Sequence, residues 1–239
     1  MDERKEVLAL IGARGGSTGI KRKNIFPLFG EPLIYYTIVA AKDSKYITRI
    51  VVSTDDEEIA KIARDLGAET PFIRPKKFAT STASAESFLK HALGWLEEHE
   101  KYKPDIVVYL QLTDLRRKRG IIDKCVEKLV ANDLLDSVFV ATPTHKKFWK
   151  VKNGKYVRIT PKRYEPRQKT KKILFREDSG IACATRPRLI KKGIRIGDNV
   201  DIVIDEGPDI DIHTYDDLSI ASCFIKNEFE KREKSKYYF

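Results

Sequence analysis

The 239-residue chain has no apolar run approaching the ~18 residues that a membrane helix needs. Its charged opening, MDERKEVLAL, does not read as a signal peptide. Only three cysteines are present, Cys125, Cys183 and Cys223, far apart and without a CxxC pair. Their spacing argues against a disulfide framework or a zinc site and fits a reducing interior, so a soluble cytoplasmic protein is expected. Internal repeats and low-complexity segments are absent, which argues against a solenoid. Negative charge is also in deficit: 46 Lys and Arg stand against 35 Asp and Glu, a formal charge of +11. Such a balance favours anionic partners without choosing among nucleotides, phosphorylated sugars, nucleic acid and acidic lipid.

What is present begins with IGARGGSTGIKRKN, residues 11 to 24. Four glycines follow an apolar run, Val7 to Ile11, that has the length and branching of a buried strand. Glycine permits close approach of backbone N–H groups to an anion, and Arg14, Lys21, Arg22 and Lys23 supply positive charge. The loop matches neither GxGxxG nor GxxxxGK[ST]. A phosphate cradle and a plain glycine-rich turn beside a solvated basic patch both fit this stretch.

Short β-rich runs then alternate with helical stretches. EPLIYYTIVAAKDS reads as a helix with Pro32 in its first turn, and TRIVVST as a second buried strand. DDEEIAKIARDLG reads as an amphipathic helix capped at Thr54 or Asp55 and ended by Gly67. ETPFIRP is expected as a short strand, ASAESFLKHALGWLEEHEK as a long helix and DIVVYLQL as a third apolar strand. This βαβαβ order predicts a parallel sheet covered on both faces, with ligands at the carboxyl ends of its strands. Residues 142–177 differ in texture, with a hairpin turning at Asn153-Gly154, and read as an inserted β-rich arm within a single domain spanning 1–239. The β/α pattern resumes through SGIACAT and DNVDIVID to a helix from about Tyr215.

A second cluster, DEGPDIDIHTYDDL, alternates Asp209, Asp211 and His213 with Ile210 and Ile212. In an extended strand the two carboxylates and the imidazole would share one face, a geometry suited to a divalent metal. An acidic strand end is also commonly a solvated edge or a cap for the next helix, the role expected of Asp216 and Asp217.

Several ordered motifs extend the match. The chain carries ARGGSTGIKRKN from Ala13 to Asn24, VSTDDEEIA from Val52 to Ala60, Arg74-Pro75 followed by STAS at Ser81 to Ser84, and LQLTDLR from Leu110 to Arg116. It continues with PRQ at Pro166 to Gln168, an FRENGA-like element at Phe175 to Gly180, and DIHT at Asp211 to Thr214. Together these resemble the acylneuraminate cytidylyltransferase family, whose members make CMP-sialic acid and related CMP-activated acids. The resemblance implies an α/β, three-layer Rossmann-like nucleotidyltransferase fold with a mostly parallel sheet and a β-rich dimerisation arm. It implies transfer of CMP from CTP to the anomeric hydroxyl of a nine-carbon 2-keto sugar acid, with Mg²⁺ as cofactor, Mn²⁺ as an alternative, and a homodimer as the assembly.

By the same resemblance, Arg14 and the N–H groups of Gly15, Gly16 and Ser17 would grip the triphosphate, with Lys23 adding charge. Asn24 would contact the nucleoside, and Arg74, Ser81, Thr82 and Ser84 would line the base pocket. Gln111 would bond the sugar acid, Lys150, Arg167 and Arg176 would meet its carboxylate, and Asp211, with Asp209 and His213, would hold the metal. Three positions depart from the family pattern. Thr18 replaces a lysine, for which Lys21 is expected to compensate; His213 replaces the second aspartate of DIDT; and Asp178 with Ser179 replaces the asparagine region of FRENGA. Other readings carried forward are a related transferase for a Kdo-type acid or a guanylyl group, and an inactive basic protein that binds nucleotides or nucleic acid. No recognised nucleic-acid motif supports the last.

Overall fold

The structure, a computed structural model, describes residues 5–160, 174–208, 210–230 and 237. Strand β1 (Val7–Gly12) forms where branched apolar residues run uninterrupted, and Val7 to Ile11 are all buried. In chain order there follow the two-residue strands β2 (Pro27–Leu28) and β3 (Glu31–Pro32), then α1 (Leu33–Lys42), β4 (Arg49–Ser53), α2 (Glu57–Asp65), α3 (Ala85–Glu100), β5 (Ile106–Leu110) and α4 (Ile121–Ala131). The second half comprises β6 (Ser137–Thr144), β7 (Trp149–Lys152), β8 (Lys155–Arg158), β9 (Leu174–Glu177), β10 (Cys183–Thr185), α5 (Pro187–Lys191), β11 (Val200–Ile204) and α6 (Tyr215–Glu230).

Among the described residues a seven-stranded sheet runs in the order β11-β6-β10-β5-β1-β4, with β9 beside β6. β1 is parallel to both β4 and β5, so Ile11 lies level with Val52 and Leu110 and the loops after all three strands open on one rim. Alternate residues of β1 enter opposite cores. Val7, Ala9 and Ile11 pack with Leu33, Ile38, Val126 and Ile225 of α1, α4 and α6, whereas Leu8 and Leu10 pack with Leu89, Leu93 and Leu96 of α3. Helices therefore cover both faces, giving a three-layer α/β architecture. No helix of the described residues is long and apolar enough to cross a membrane.

Four details differ from the sequence reading, each for a local reason. ETPFIRP makes two isolated bridges, Glu69 to Val51 of β4 and Ile73 to Thr54 just past it, rather than a strand; Pro71, between them, has no N–H to give. Pro32 stands just before α1 as its cap, in extended conformation. The cap of α2 is Asp56, whose Oδ1 accepts from Ile59 N at 3.0 Å, because Asp55 is turned to the amide of Gly15. Strand β10 is antiparallel to β5 and β6 instead of continuing the parallel order. β9 returns along β6 from its carboxyl end, so the strand formed next also runs downward, and Asp178 to Gly180 arrive at the rim.

The hairpin of β7 and β8 turns at Asn153 (φ 52°) and Gly154 (φ 71°), the positive-φ pair that a tight two-residue turn requires. Thr142 to Thr144 and Leu174 to Arg176, near the two ends of the 142–177 segment, pair with each other in the main sheet.

Candidate functional site

The rim holds a cleft of about 460 Å³ between the glycine loop, the segment before α3 and the end of β5. The loop is fastened at several points: Ala13 N donates to Ser53 O at 2.9 Å, and Asn24, buried, donates through Nδ2 to Arg14 O at 2.8 Å. A Cβ at Gly19 would collide with the carbonyl of His213, so glycine there lets the loop lie directly against the acidic segment. Arg14 and Lys23 both line the cleft. Arg14 Nη1 donates to Thr80 O at 2.8 Å, and Lys23 Nζ to Ile212 O at 2.5 Å. Burial pulls the Lys23 ammonium below its ordinary pKa, against the opposing pull of Asp211. Arg74 is buried in the cleft wall, stacked over Phe88, with Nε on Ser53 Oγ at 3.0 Å. Desolvation lowers its pKa to about 10, so it remains a cation at neutral pH. Ser84 caps α3 by accepting from Ser87 N.

The acidic segment reaches the same rim through a single antiparallel bridge, Asp114 to Asp211, rather than a strand. The alternation nonetheless holds: Ile210 and Ile212 are buried, while Asp211 and His213 face the clefts. Asp217 fixes this segment to the start of α6. Its Oδ2 accepts from His213 N at 2.8 Å and Thr214 N at 2.7 Å, bonds that hold its carboxyl below the usual range. Asp211 Oδ2 accepts from Gln111 Nε2 at 3.0 Å and meets His213 Nε2 at 2.8 Å. Asp211 Oδ1 is buried and has no hydrogen-bond partner among the described residues. No group of three or more His, Cys, Asp or Glu side chains with metal-holding geometry occurs among the described residues. Asp209, expected to complete such a group, lies outside them.

A second, smaller cleft of about 240 Å³ opens on the other side of Gln111 and Asp211, where Arg176, Asp178, Gly180 and Arg195 contribute to its wall. Gln111 lines both clefts. Its Oε1 accepts from Tyr109 Oη at 3.1 Å and its Nε2 also reaches Thr113 Oγ1 at 3.0 Å, so the amide is held from both ends. Tyr109 is itself buried, which pushes its phenol up to about 12 and keeps it a donor. Beneath the cleft, Arg117 donates to the carbonyls of Gln111, Asp114, Gly180 and Ile181 and to Thr37 Oγ1.

The structure brings Arg14, Ser17, Lys23, Asn24, Arg74, Ser81, Ser84, Gln111 and His213 together around the first cleft. Thr82 does not line it, and instead pairs with Thr80. The Gly15 amide is occupied by Asp55 Oδ1 at 2.9 Å and the Ser17 amide by Gly15 O at 3.1 Å; of the three expected phosphate donors, only Gly16 N makes no hydrogen bond among the described residues. Arg176 lines the second cleft, but its Nε and Nη2 are bonded to Asp178 at 2.6 and 3.0 Å, which also explains how an acidic residue is tolerated there. Lys150 is exposed on β7, away from both clefts, and Arg167 lies outside the described residues.

The expected compensation by Lys21 finds no support in the geometry. Lys21 is exposed and lines neither cleft, while Arg22 turns to Asp56 at 2.5 Å and to Glu58. The KRKN run is thus divided among three directions and makes no continuous basic face. Accordingly, with CTP as the nucleotide that the resemblance implies, Lys23→Ala should raise its KM by about tenfold, the scale of a lost charged hydrogen bond, whereas Lys21→Ala should leave it within about twofold. Steady-state kinetics at varied CTP checks this; equal effects would contradict it.

Sequence reading missed Arg117, Asp114 and Arg195. The first two lie in LQLTDLRR, where paired charges look like a solvated loop; only their proximity to a strand end hinted otherwise.

Similarities to known proteins extend over most of the chain. The family described as Cytidylyltransferase matches residues 8–113. Post-translational flagellin modification protein B of Campylobacter coli is 32% identical over 228 residues, covering 93% of this chain and 96% of that protein. A pseudaminic acid cytidylyltransferase of Campylobacter jejuni subsp. jejuni serotype O:23/36 (strain 81-176) is 29% identical over 228 residues, covering 93% and 97%. Among solved structures, a CMP:2-keto-3-deoxy-manno-octonic acid synthetase complexed with CTP superposes with a TM-score of 0.66 at 16% identity, covering 93% of this chain and 99% of that one.

Proposed function

Because the chain belongs to the acylneuraminate cytidylyltransferase family, we propose that it transfers CMP from CTP to the anomeric hydroxyl of a nine-carbon 2-keto sugar acid of the sialic, legionaminic or pseudaminic type. The observation that carries this reading is Gln111, which lines a large basic cleft on one side and a small polar cleft on the other. The first cleft takes CTP and the second the acid. The hydroxyl oxygen of the acid bonds to the α-phosphorus, the bond from that phosphorus to its bridging oxygen breaks, pyrophosphate departs and the hydroxyl proton is lost. Little covalent chemistry is asked of the protein; it aligns the reactants and meets the growing charge with fixed cations and dipoles.

Arg14 and Lys23 face the triphosphate, with the amide of Gly16 and the hydroxyl of Ser17 beside them. Asn24 anchors the loop and contacts the nucleoside, while Ser81 and Ser84 border the base pocket that Arg74 braces. Gln111, held by Tyr109 and Thr113, orients the acid at the boundary. Asp211 is the residue that would hold Mg²⁺, or Mn²⁺ as the alternative. Its buried Oδ1, unpartnered among the described residues, fits a hard cation, and the imidazole of His213 beside Oδ2 is a donor that Mn²⁺ accepts more readily than Mg²⁺. A bound divalent ion would supply neutralisation of the phosphate charge.

The working assembly in this reading is a homodimer. Its support is the hairpin of β7 and β8, which leaves Trp149 55%, Val151 66% and Tyr156 79% exposed. A lone two-stranded hairpin is marginal in water, and burial of that face against a second copy would stabilise it. Phe148 and Trp149 are part of this exposed face. Lys150, on the same hairpin, would then act from the partner subunit. A cytoplasmic location accords with three free cysteines, of which Cys125 and Cys183 are buried. Mass detection of a CMP-linked acid after incubation with CTP and a panel of such acids tests the function directly.

A further inference from the structure

The second cleft must admit an anionic acid, yet its charges are mostly negative: Asp114, Glu177, Asp178 and Asp211 against Arg176 and Arg195. Arg176 is committed to Asp178 by two hydrogen bonds. Arg195 is different. Its side chain is only 19% exposed, lies over the ring of Tyr109 at 4.7 Å, and makes no hydrogen bond among the described residues. Its nearest carboxylates, Glu86 and Glu177, stand at 3.7 Å, in ion-pair range but beyond hydrogen-bond distance. Its Nε is buried and makes no hydrogen bond among the described residues.

The residue is also held in place from below. Its backbone carbonyl accepts from Thr185 Oγ1 at 2.6 Å and Ser137 Oγ at 3.2 Å, so the loop between α5 and β11 is tied to the sheet at this point. A half-buried guanidinium on a fixed base, with its covered Nε unbonded among the described residues, costs free energy unless something completes it. A planar carboxylate matches its fork, through two parallel charge-assisted bonds, better than any other group of a sugar acid.

We propose that Arg195 binds the carboxylate of the acceptor acid and thereby sets the protein's requirement for an acid rather than a neutral sugar. The assignment rests on the transferase reading above, with the acid in the second cleft. Stacking of Arg195 on Tyr109, which holds Gln111, then places the carboxylate at a defined distance from the reacting hydroxyl.

The test uses the whole chain with CTP and pseudaminic acid, and compares Arg195→Met and Arg195→Lys with the unaltered protein. Arg195→Met should raise the KM for the acid by about tenfold to a hundredfold, the scale of a lost charged pair of hydrogen bonds, and leave the KM for CTP within about twofold. The C1 methyl ester of the same acid, assayed as a competitive inhibitor, should bind the unaltered and Met proteins equally within about twofold. Arg195→Lys, which keeps the charge without the fork, should fall between, and it carries the test if thermal melting shows the Met variant unfolded. An unmoved KM for the acid, or an equal penalty for acid and ester, would overturn the assignment. No turnover by the unaltered protein with any acid of the panel would sink the transferase reading itself, whereas turnover with an unmoved KM would sink only the role of Arg195.

Discussion

Replacing Asp211 with alanine is expected to lower the turnover number by about a thousandfold or more, while His213→Ala costs about tenfold. The difference follows from what each side chain holds. Asp211 joins the two clefts: its Oδ2 accepts from the Gln111 amide and meets His213, and its Oδ1 is a buried oxygen with no hydrogen-bond partner among the described residues. Removing the carboxylate therefore loses the candidate metal ligand and one anchor of Gln111 together. Loss of a single preorganised electrostatic contact at a reacting centre costs on the order of 10²–10³-fold in turnover, and Asp211 supplies two such contacts. His213 is 66% exposed, and Asp211 is the residue its ring touches, so its deletion leaves the carboxylate and Gln111 where they were. Turnover measured alongside binding of Mn²⁺ by calorimetry separates the two roles: Asp211→Ala should lose both, and His213→Ala should retain measurable binding. Equal and complete losses in the two variants would overturn the ranking.

Arg117→Met is expected to destabilise the fold by about 3–5 kcal/mol, the range for breaking a buried charged network from one side. Arg117 is 1% exposed, and its guanidinium is held by four carbonyls and a hydroxyl instead of by a carboxylate. Burial lowers its pKa to about 10, so the group is charged at neutral pH. Methionine fills similar volume but gives no N–H, leaving the carbonyls of Gly180 and Ile181, at 2.9 and 2.7 Å from the guanidinium, without it. Because β10 begins just past these residues, the loss falls on the junction between the two clefts. Urea unfolding of the variant, with the slope unchanged, should show the midpoint moved by the full amount, and thermal melting should fall by about 10 °C. A change below about 1 kcal/mol would contradict the view that this arginine organises the acceptor side.

Much of this arrangement was legible in the residues. Uninterrupted branched runs at Val7, Ile50 and Ile106 announced three parallel strands, and glycine or acidic loops at their ends announced the rim. Asn153-Gly154 announced the hairpin because few other dipeptides take positive φ twice. The antiparallel course of β10 was not legible, since a three-residue strand carries no mark of direction; its course is set by the return of β9 along β6. Arg74 stands near the end of the expected ETPFIRP strand, and its burial, with its donors spent on Ser53 and Phe78, is not marked by the spacing. Arg116 pairs with Asp205, distant in sequence and buried with it, a partnership that spacing does not reveal. Buried arginines share this difficulty: they are recognised by acceptors brought together by the fold, and hydrophobic periodicity is silent about them.

The same limit explains why the glycine loop was read only in part. Its glycines and cations marked an anion site, but which cation faces the cleft depends on where Asp55, Asp56 and Ile212 arrive in space. Lys23 is directed inward by the carbonyl of Ile212, and Arg22 is drawn outward to the start of α2. Thr18, in place of the family's lysine, lines the cleft itself, where Arg14 and Lys23 supply positive charge.

The most direct measurement is the mass of the product formed when the unaltered protein is incubated with CTP, Mg²⁺ or Mn²⁺, and a mixture of pseudaminic, legionaminic and sialic acids. A species with the mass of CMP joined to one of these acids, appearing with an equal amount of pyrophosphate and only when acid and CTP are both present, is the predicted result. Pyrophosphate release without an acid, or the absence of any CMP-linked acid with every member of the mixture, would contradict the account.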